Sequence, residues 1–179
     1  MRFLRERQRP DGGWDEVAGV RQLGAPAWLI PGRTATRTWL SAYCGHVLLR
    51  FGHIEDLGAE FLLARQRDDG RLEGYLRATW IALPALSVQP GRASAPFRRA
   101  LAYLERRFSP EWHGSAVAWM LRCLADAGVP AGHPLVQRAR TALGRWQRPD
   151  GAWDGEDGSR FDVTSTIDAL RALIVYGRL

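Results

Sequence analysis

The chain contains no lysine: all 25 of its basic residues are arginine, set against 19 acidic ones. Arginine suits phosphate, and a block of it would point to a nucleic-acid surface. Here the arginines are spread along the chain and alternate with Asp and Glu, the pattern of a solvated face, so no nucleic-acid partner is expected. The net charge of +6 leaves one weaker implication, that a basic rim would favour an acidic ligand such as a diphosphate or carboxylate. Cysteine is scarce. Cys44 and Cys123 sit far apart in apolar helical patterns and provide neither a disulfide framework nor metal spacing. No metal and no cofactor are expected. Long apolar runs are missing too: none approaches the ~20 residues that span a bilayer, so no transmembrane segment is expected. The first residues, Met1 to Gln8, carry charges where a signal peptide needs its apolar stretch, which predicts a cytoplasmic protein. Strand-like alternation is absent. The remainder is 46% hydrophobic and 25% charged, the balance of one ordinary soluble domain over residues 1–179.

What the chain does have is a repeat. Gln8-Arg9-Pro10-Asp11-Gly12-Gly13-Trp14 returns as Gln147-Arg148-Pro149-Asp150-Gly151-Ala152-Trp153. A weaker copy is Gln66-Arg67-Asp68-Asp69-Gly70-Arg71-Leu72, and a degenerate one runs from Arg107 to Trp112. The last three are spaced by ~40 residues, a length that suits a two-helix repeat. The first interval is longer because Asp15 to Arg33, rich in Gly, Pro and Ala, reads as an extended loop. Before each copy apolar residues fall at spacings of three and four, predicting an amphipathic helix that the turn residues then stop. After each copy a more apolar helix is predicted: Thr36–Phe51, Tyr75–Leu86, Gly114–Ala127 and Asp162–Tyr176. The expectation is an all-α chain of four helical hairpins, each an outer helix, a turn and an inner helix. In the turns, Gln is expected to bond exposed helix-end groups and Trp to supply a large surface with one donor, so Gln8, Trp14, Gln147 and Trp153 read as structural.

With these turns the sequence resembles the QW-repeat proteins, the squalene–hopene and oxidosqualene cyclases and related terpenoid cyclases, whose fold protein prenyltransferase β subunits share. The resemblance covers nearly the whole chain. It implies an α/α toroid, here partial or small because four hairpins stand where five or six are usual, with inner helices lining a cavity and turns tying neighbouring hairpins. It also implies an isoprenoid or other apolar, polyene-like substrate and natural-product chemistry of the cyclase or isomerase kind. Two departures stand out. The zinc ligands of the prenyltransferases are absent. The Asp-x-Asp-Asp motif that protonates class II cyclase substrates falls at Asp162-Val163-Thr164-Ser165, so Thr164 stands in place of the proton-donating Asp. A hydroxyl is far too weak an acid for that role.

Aligning the inner helices on one another places Arg37, Tyr75, His113 and Asp162 at one register near each helix start. In the resembled fold they would ring one mouth of the cavity, with Asp162 and His113 handling protons and Arg37 and Tyr75 orienting a polar end. Helix-start chemistry is the alternative, with Asp162 as an N-cap. One turn deeper lie Ser41, Thr79, Val117 and Thr166, small groups that leave room for a ligand or permit tight packing. Trp39, Trp80 and Trp119 lie on inner helices, as pocket walls able to stabilise a cation or as plain core. Asp168 falls inside the last inner helix, as a relocated acid or substrate contact, or as an ion pair with Arg171 at i+3. The sequence thus supports an acid-promoted cyclisation or isomerisation at a non-typical site. A non-catalytic module that binds a lipid or protein is the alternative. Because the last inner helix has no hairpin after it, a homodimer through the terminal hairpins is expected; otherwise the loop Asp15–Arg33, with Trp28, Leu29 and Ile30, folds back over one edge.

Overall fold

Helix boundaries fall where the turn residues put them. In the computed structural model, which describes residues 2–53 and 56–177, four helix pairs follow one another. The outer helices are α1 (Arg2–Glu6), α3 (Asp56–Leu63), α5 (Ala95–Arg107) and α7 (Pro134–Arg145). The inner helices are α2 (Thr34–Arg50), α4 (Leu76–Leu86), α6 (Gly114–Asp126) and α8 (Asp162–Val175). Among the described residues there is no strand, only an isolated antiparallel bridge between Gln66 and Leu72 inside the second turn. Among the described residues no helix is long and apolar enough to cross a membrane.

Beyond α1, which buries no residue, the outer helices are amphipathic, as their spacing requires. On α7, Leu135, Val136, Ala139, Ala142 and Leu143 are buried while Gln137, Arg138 and Thr141 face solvent. The inner helix α4 is buried along its whole length from Ala78 to Leu86. Each fully buried aliphatic side chain contributes roughly 1.5–3 kcal/mol, so these faces are the main source of stability.

By its contacts the chain divides into two compact units, Met1–Tyr103 and Leu104–Leu179. In the first, α2 packs on α4 and α3; in the second, α6 packs on α8 and α7. Asp15–Arg33 is not the plain extended loop expected. It holds two short 3₁₀ segments, Ala18–Leu23 and Ala27–Leu29. The buried Asp15 carboxylate pins its far end by accepting from Gly32 N–H at 3.0 Å. The Thr36 hydroxyl donates to the Trp28 carbonyl at 3.0 Å, and the Trp28 ring stands edge-on to Trp39, with centroids 5.2 Å apart. The loop therefore folds back along the first inner helix.

Candidate functional site

The turns share one frame. Gln8 Nε2 donates to the Gly12 carbonyl at 3.0 Å, Gln66 Nε2 to Gly70 at 3.1 Å, and Gln147 Nε2 to Gly151 at 3.1 Å. The Trp14 indole donates to the Leu4 carbonyl at 2.8 Å, and the Trp153 indole to Leu143 at 2.9 Å. This exchanges the expected roles: Trp satisfies a carbonyl in the last turn of the outer helix, and Gln closes the turn on itself. The second turn also docks on the next hairpin. Gln66 Nε2 reaches the Pro96 carbonyl at 2.9 Å, and a Cβ on Gly70 would lie 2.1 Å from the Arg99 carbonyl oxygen. Only glycine allows that approach.

Ser41, Thr79 and Thr166 are neither ligand space nor simple spacers. Each hydroxyl accepts a main-chain N–H from its turn: Trp14 to Ser41 at 2.8 Å, Leu72 to Thr79 at 3.1 Å and Trp153 to Thr166 at 3.0 Å. Val117 stands at the same register beside the degenerate third turn, where Trp112 instead packs edge-on to Phe108 at 5.5 Å.

The four residues predicted at the helix starts are divided between the units. In the first, Arg37 donates to both Asp11 oxygens, at 2.7 and 3.0 Å, lies 3.8 Å from the Asp15 carboxylate, and sits 5.1 Å over the Phe61 ring. Burial works to raise the Asp11 carboxyl, but hydrogen bonds from Arg37 and Gly13 N–H outweigh it and hold the group below its usual value. Tyr75 is the half-buried residue preceding α4, its carbonyl accepting from Ala78 N–H at 3.0 Å.

In the second unit, His113 is the N-cap of α6: its Nδ1 accepts from Ser115 N–H at 3.3 Å and lies 2.9 Å from the Ser115 hydroxyl. Its ring rests against Trp146, with centroids 5.0 Å apart. Asp162 is not an N-cap. It is the first residue of α8 and follows Phe161, the cap position, which makes no side-chain cap bond. Its carboxylate turns outward to the preceding loop, accepting from Gly155 N–H at 2.8 Å and from Arg148 at 3.2 Å. Arg148 also pairs with Asp150 and Asp154. His113 and Asp162 form no hydrogen bond or ion pair with each other; the loop that Asp162 holds meets α6 through Glu156 N–H, which donates to Ser115 Oγ at 3.3 Å. Asp162 and Ser115 hold the loop around Gly155 and Glu156, and His113 touches it only through Ser115. Arg148 belongs to the repeated motif, as Arg9 and Arg67 do, and pairs with acids as they do; Ser115 carries no signal in the sequence beyond its proximity to His113.

Asp168 does not pair with Arg171, which is exposed. It accepts from Arg122 of α6 at 2.6 Å, both side chains being less than one-fifth exposed. The tryptophans differ. Trp80 is core, at 2% exposure. Trp119 is half-buried. Trp39 is half-buried and stacks on Tyr43, with centroids 5.8 Å apart and planes 12° apart.

The first unit contains a half-open pocket of about 470 Å³ that the sequence did not point to. Its apolar wall comes from Phe3 and Leu4 of α1, Trp14 of the turn, Val17 of the loop, and Leu40 and Cys44 of α2. Exposed Arg7 and Arg9 also line it, as do Glu16 and Asp15, whose carboxylate pairs with Arg9 at 3.0 Å. Burial, and then the Glu16 charge, push the Cys44 thiol up to about 12, so it is a neutral, apolar wall atom. Burial and the neighbouring Asp15 raise the Glu16 carboxyl above its usual value. Among the described residues, no group of three His, Cys, Asp or Glu side chains could hold a metal ion.

Comparison of the chain with models of known protein families gives no match, and comparison with curated proteins gives none.

Proposed function

We propose that the chain is a non-catalytic helical repeat module that binds an apolar small molecule, an isoprenoid or polyene-like chain ending in an acidic group. The pocket of the first unit carries the reading. Its volume of about 470 Å³ falls within the range of small-molecule sites, and its wall is apolar with a few polar groups. Exposed Arg7 supplies positive charge beside it, Arg9 being held by Asp15, and that guanidinium favours a carboxylate or diphosphate end. The resemblance to terpenoid cyclases suggests the same ligand class, with the hairpins curved as in a partial toroid and the protein working in the cytoplasm as a homodimer. Binding is favoured over acid-promoted cyclisation because the groups available to move protons already have structural work. His113 caps a helix, and both Asp162 oxygens hold the last turn.

The test is titration with cis-parinaric acid, a fluorescent polyene carboxylate. Saturable binding with a Kd on the order of micromolar is expected. Leu40→Trp, which fills the pocket, should weaken it at least tenfold, with the circular dichroism spectrum unchanged. Arg7→Glu should weaken this acid more than the neutral polyene retinol. No saturable signal, or binding indifferent to Leu40→Trp, would sink the proposal.

A further inference from the structure

The third turn departs from the frame the others share, and a cavity lies beside it. A main-chain bond aligns all four. Gly12 N–H donates to the Arg9 carbonyl, Gly70 to Arg67, Gly151 to Arg148 and, in the third turn, Trp112 to Ser109 at 3.1 Å. By this bond Trp112 stands at the glycine place and Phe108, just before Ser109, at the glutamine place. Both changes bear on the next outer helix. In the second turn Gln66 donates to the Pro96 carbonyl and accepts from Arg99 of α5, and Gly70 closes on the backbone of that helix. Phenylalanine cannot make those bonds, and tryptophan cannot make that approach. Arg138 is the fifth residue of α7 as Arg99 is of α5. It donates instead to the Glu105 carbonyl at 2.6 Å, with its guanidinium 5.6 Å from the centre of the Phe108 ring. Where the second turn closes on α5, the third leaves an open cavity of about 330 Å³ against α7.

Phe108, Pro110 and Ala142 give this cavity its apolar wall, and Arg138, Thr141 and Arg145 are its polar groups on α7. Arg138 and Arg145 share one face of the helix, ~10 Å apart along its axis. Among the described residues no carboxylate lines the cavity, and exposed Arg145 makes no hydrogen bond or ion pair. We infer that the cavity is a second ligand site, for a compact aromatic dianion with an acid at each end. The ring packs on Phe108 and Pro110, and Arg138 and Arg145 take one acid each. A monoacid leaves one guanidinium unmatched, and a cationic ligand meets two like charges. The volume is at the lower end of the range for small-molecule sites, which suits a ring system better than a long chain. The site lies within the second unit and does not rest on the pocket of the first.

Isothermal titration calorimetry of the full chain with naphthalene-2,6-dicarboxylate tests this. Saturable one-to-one binding with a Kd on the order of 100 µM is expected. 2-Naphthoate, with one acid, should bind about fivefold more weakly, and Arg145→Gln should weaken the dicarboxylate by about the same factor. Thr141→Trp, at an exposed position, should fill the cavity and weaken binding about tenfold with the helical circular dichroism retained. Arg7→Glu, at the pocket of the first unit, should bind the dicarboxylate like the wild type. No saturable heat, equal affinity for the two naphthoates, or binding untouched by both α7 variants would overturn the inference. So would binding lost in Arg7→Glu and kept in Arg145→Gln, which would put the probe in the first unit.

Discussion

In three turns the main-chain N–H of the last residue, Trp14, Leu72 or Trp153, finds its acceptor in a side chain of the following inner helix. The spacing differs at every turn: Ser41 follows Trp14 by 27 residues, Thr79 follows Leu72 by 7, and Thr166 follows Trp153 by 13. No local rule relates them, and only the alignment of inner helices shows that they are equivalent. The register was therefore legible in the sequence and its purpose was not, since small polar residues suit a ligand space, tight packing and a hydrogen bond equally well. Thr166→Val tests the assignment. Valine keeps the shape and removes the acceptor, leaving the Trp153 N–H unsatisfied, which costs about 1–3 kcal/mol. The melting temperature should fall by roughly 3–10 °C for a chain of this size. Thr166→Ser should recover most of the loss, because the hydroxyl alone suffices. Equal loss in both variants would show that the methyl group, not the bond, matters at this position.

Among elements, helix existence and order were readable, and partners were not. The inner helices begin and end within about two residues of the expected positions, because Pro-Asp-Gly punctuation and apolar periodicity act locally. Asp168 shows where local reasoning stops. Arg171, three residues on, is a sound helical partner on paper, but Asp168 reaches Arg122, 46 residues earlier, because α6 packs on α8. Sequence spacing cannot show which faces of two helices meet. The pair is at the edge of the core, and its removal in halves should be worse than its removal whole. Asp168→Ala leaves a half-buried guanidinium with Arg122 Nε already lacking a hydrogen-bond partner among the described residues. That should cost about 1–3 kcal/mol, discounted from the value for fully buried pairs. Replacing both residues with Met and Leu should restore much of it. Denaturant unfolding of the two single variants and the double variant gives the coupling energy. A coupling energy near zero would place the pair among surface ion pairs that contribute little.

At the scale of the whole molecule, the repeat organisation was plain in the sequence and the candidate site was only partly so. The turns that identify the repeat are also where its chemistry is used up. Arg37 is held by Asp11 and Asp15 of the first turn, and Asp162 by Arg148 and Gly155 beside the last. A polar residue at a helix start is recruited by the turn before it, so its presence at a repeat-equivalent position says little about a ligand. The pocket of the first unit escaped notice because its walls come from α1, a turn, a loop and α2, none of them carrying a motif. The last prediction follows from this distribution. Class II cyclisation needs a carboxylic acid free to give its proton to an alkene. Thr164 occupies the donor's place in the motif and is exposed, and the one motif carboxylate that remains, Asp162, has both oxygens committed to the turn. Incubation with squalene or geranylgeranyl diphosphate, followed by product analysis, should give no cyclised product above a protein-free control. Clear turnover that disappears in Asp162→Asn, with the melting temperature nearly unchanged, would restore the enzymatic reading and make the turn's hold on Asp162 a device for positioning the acid.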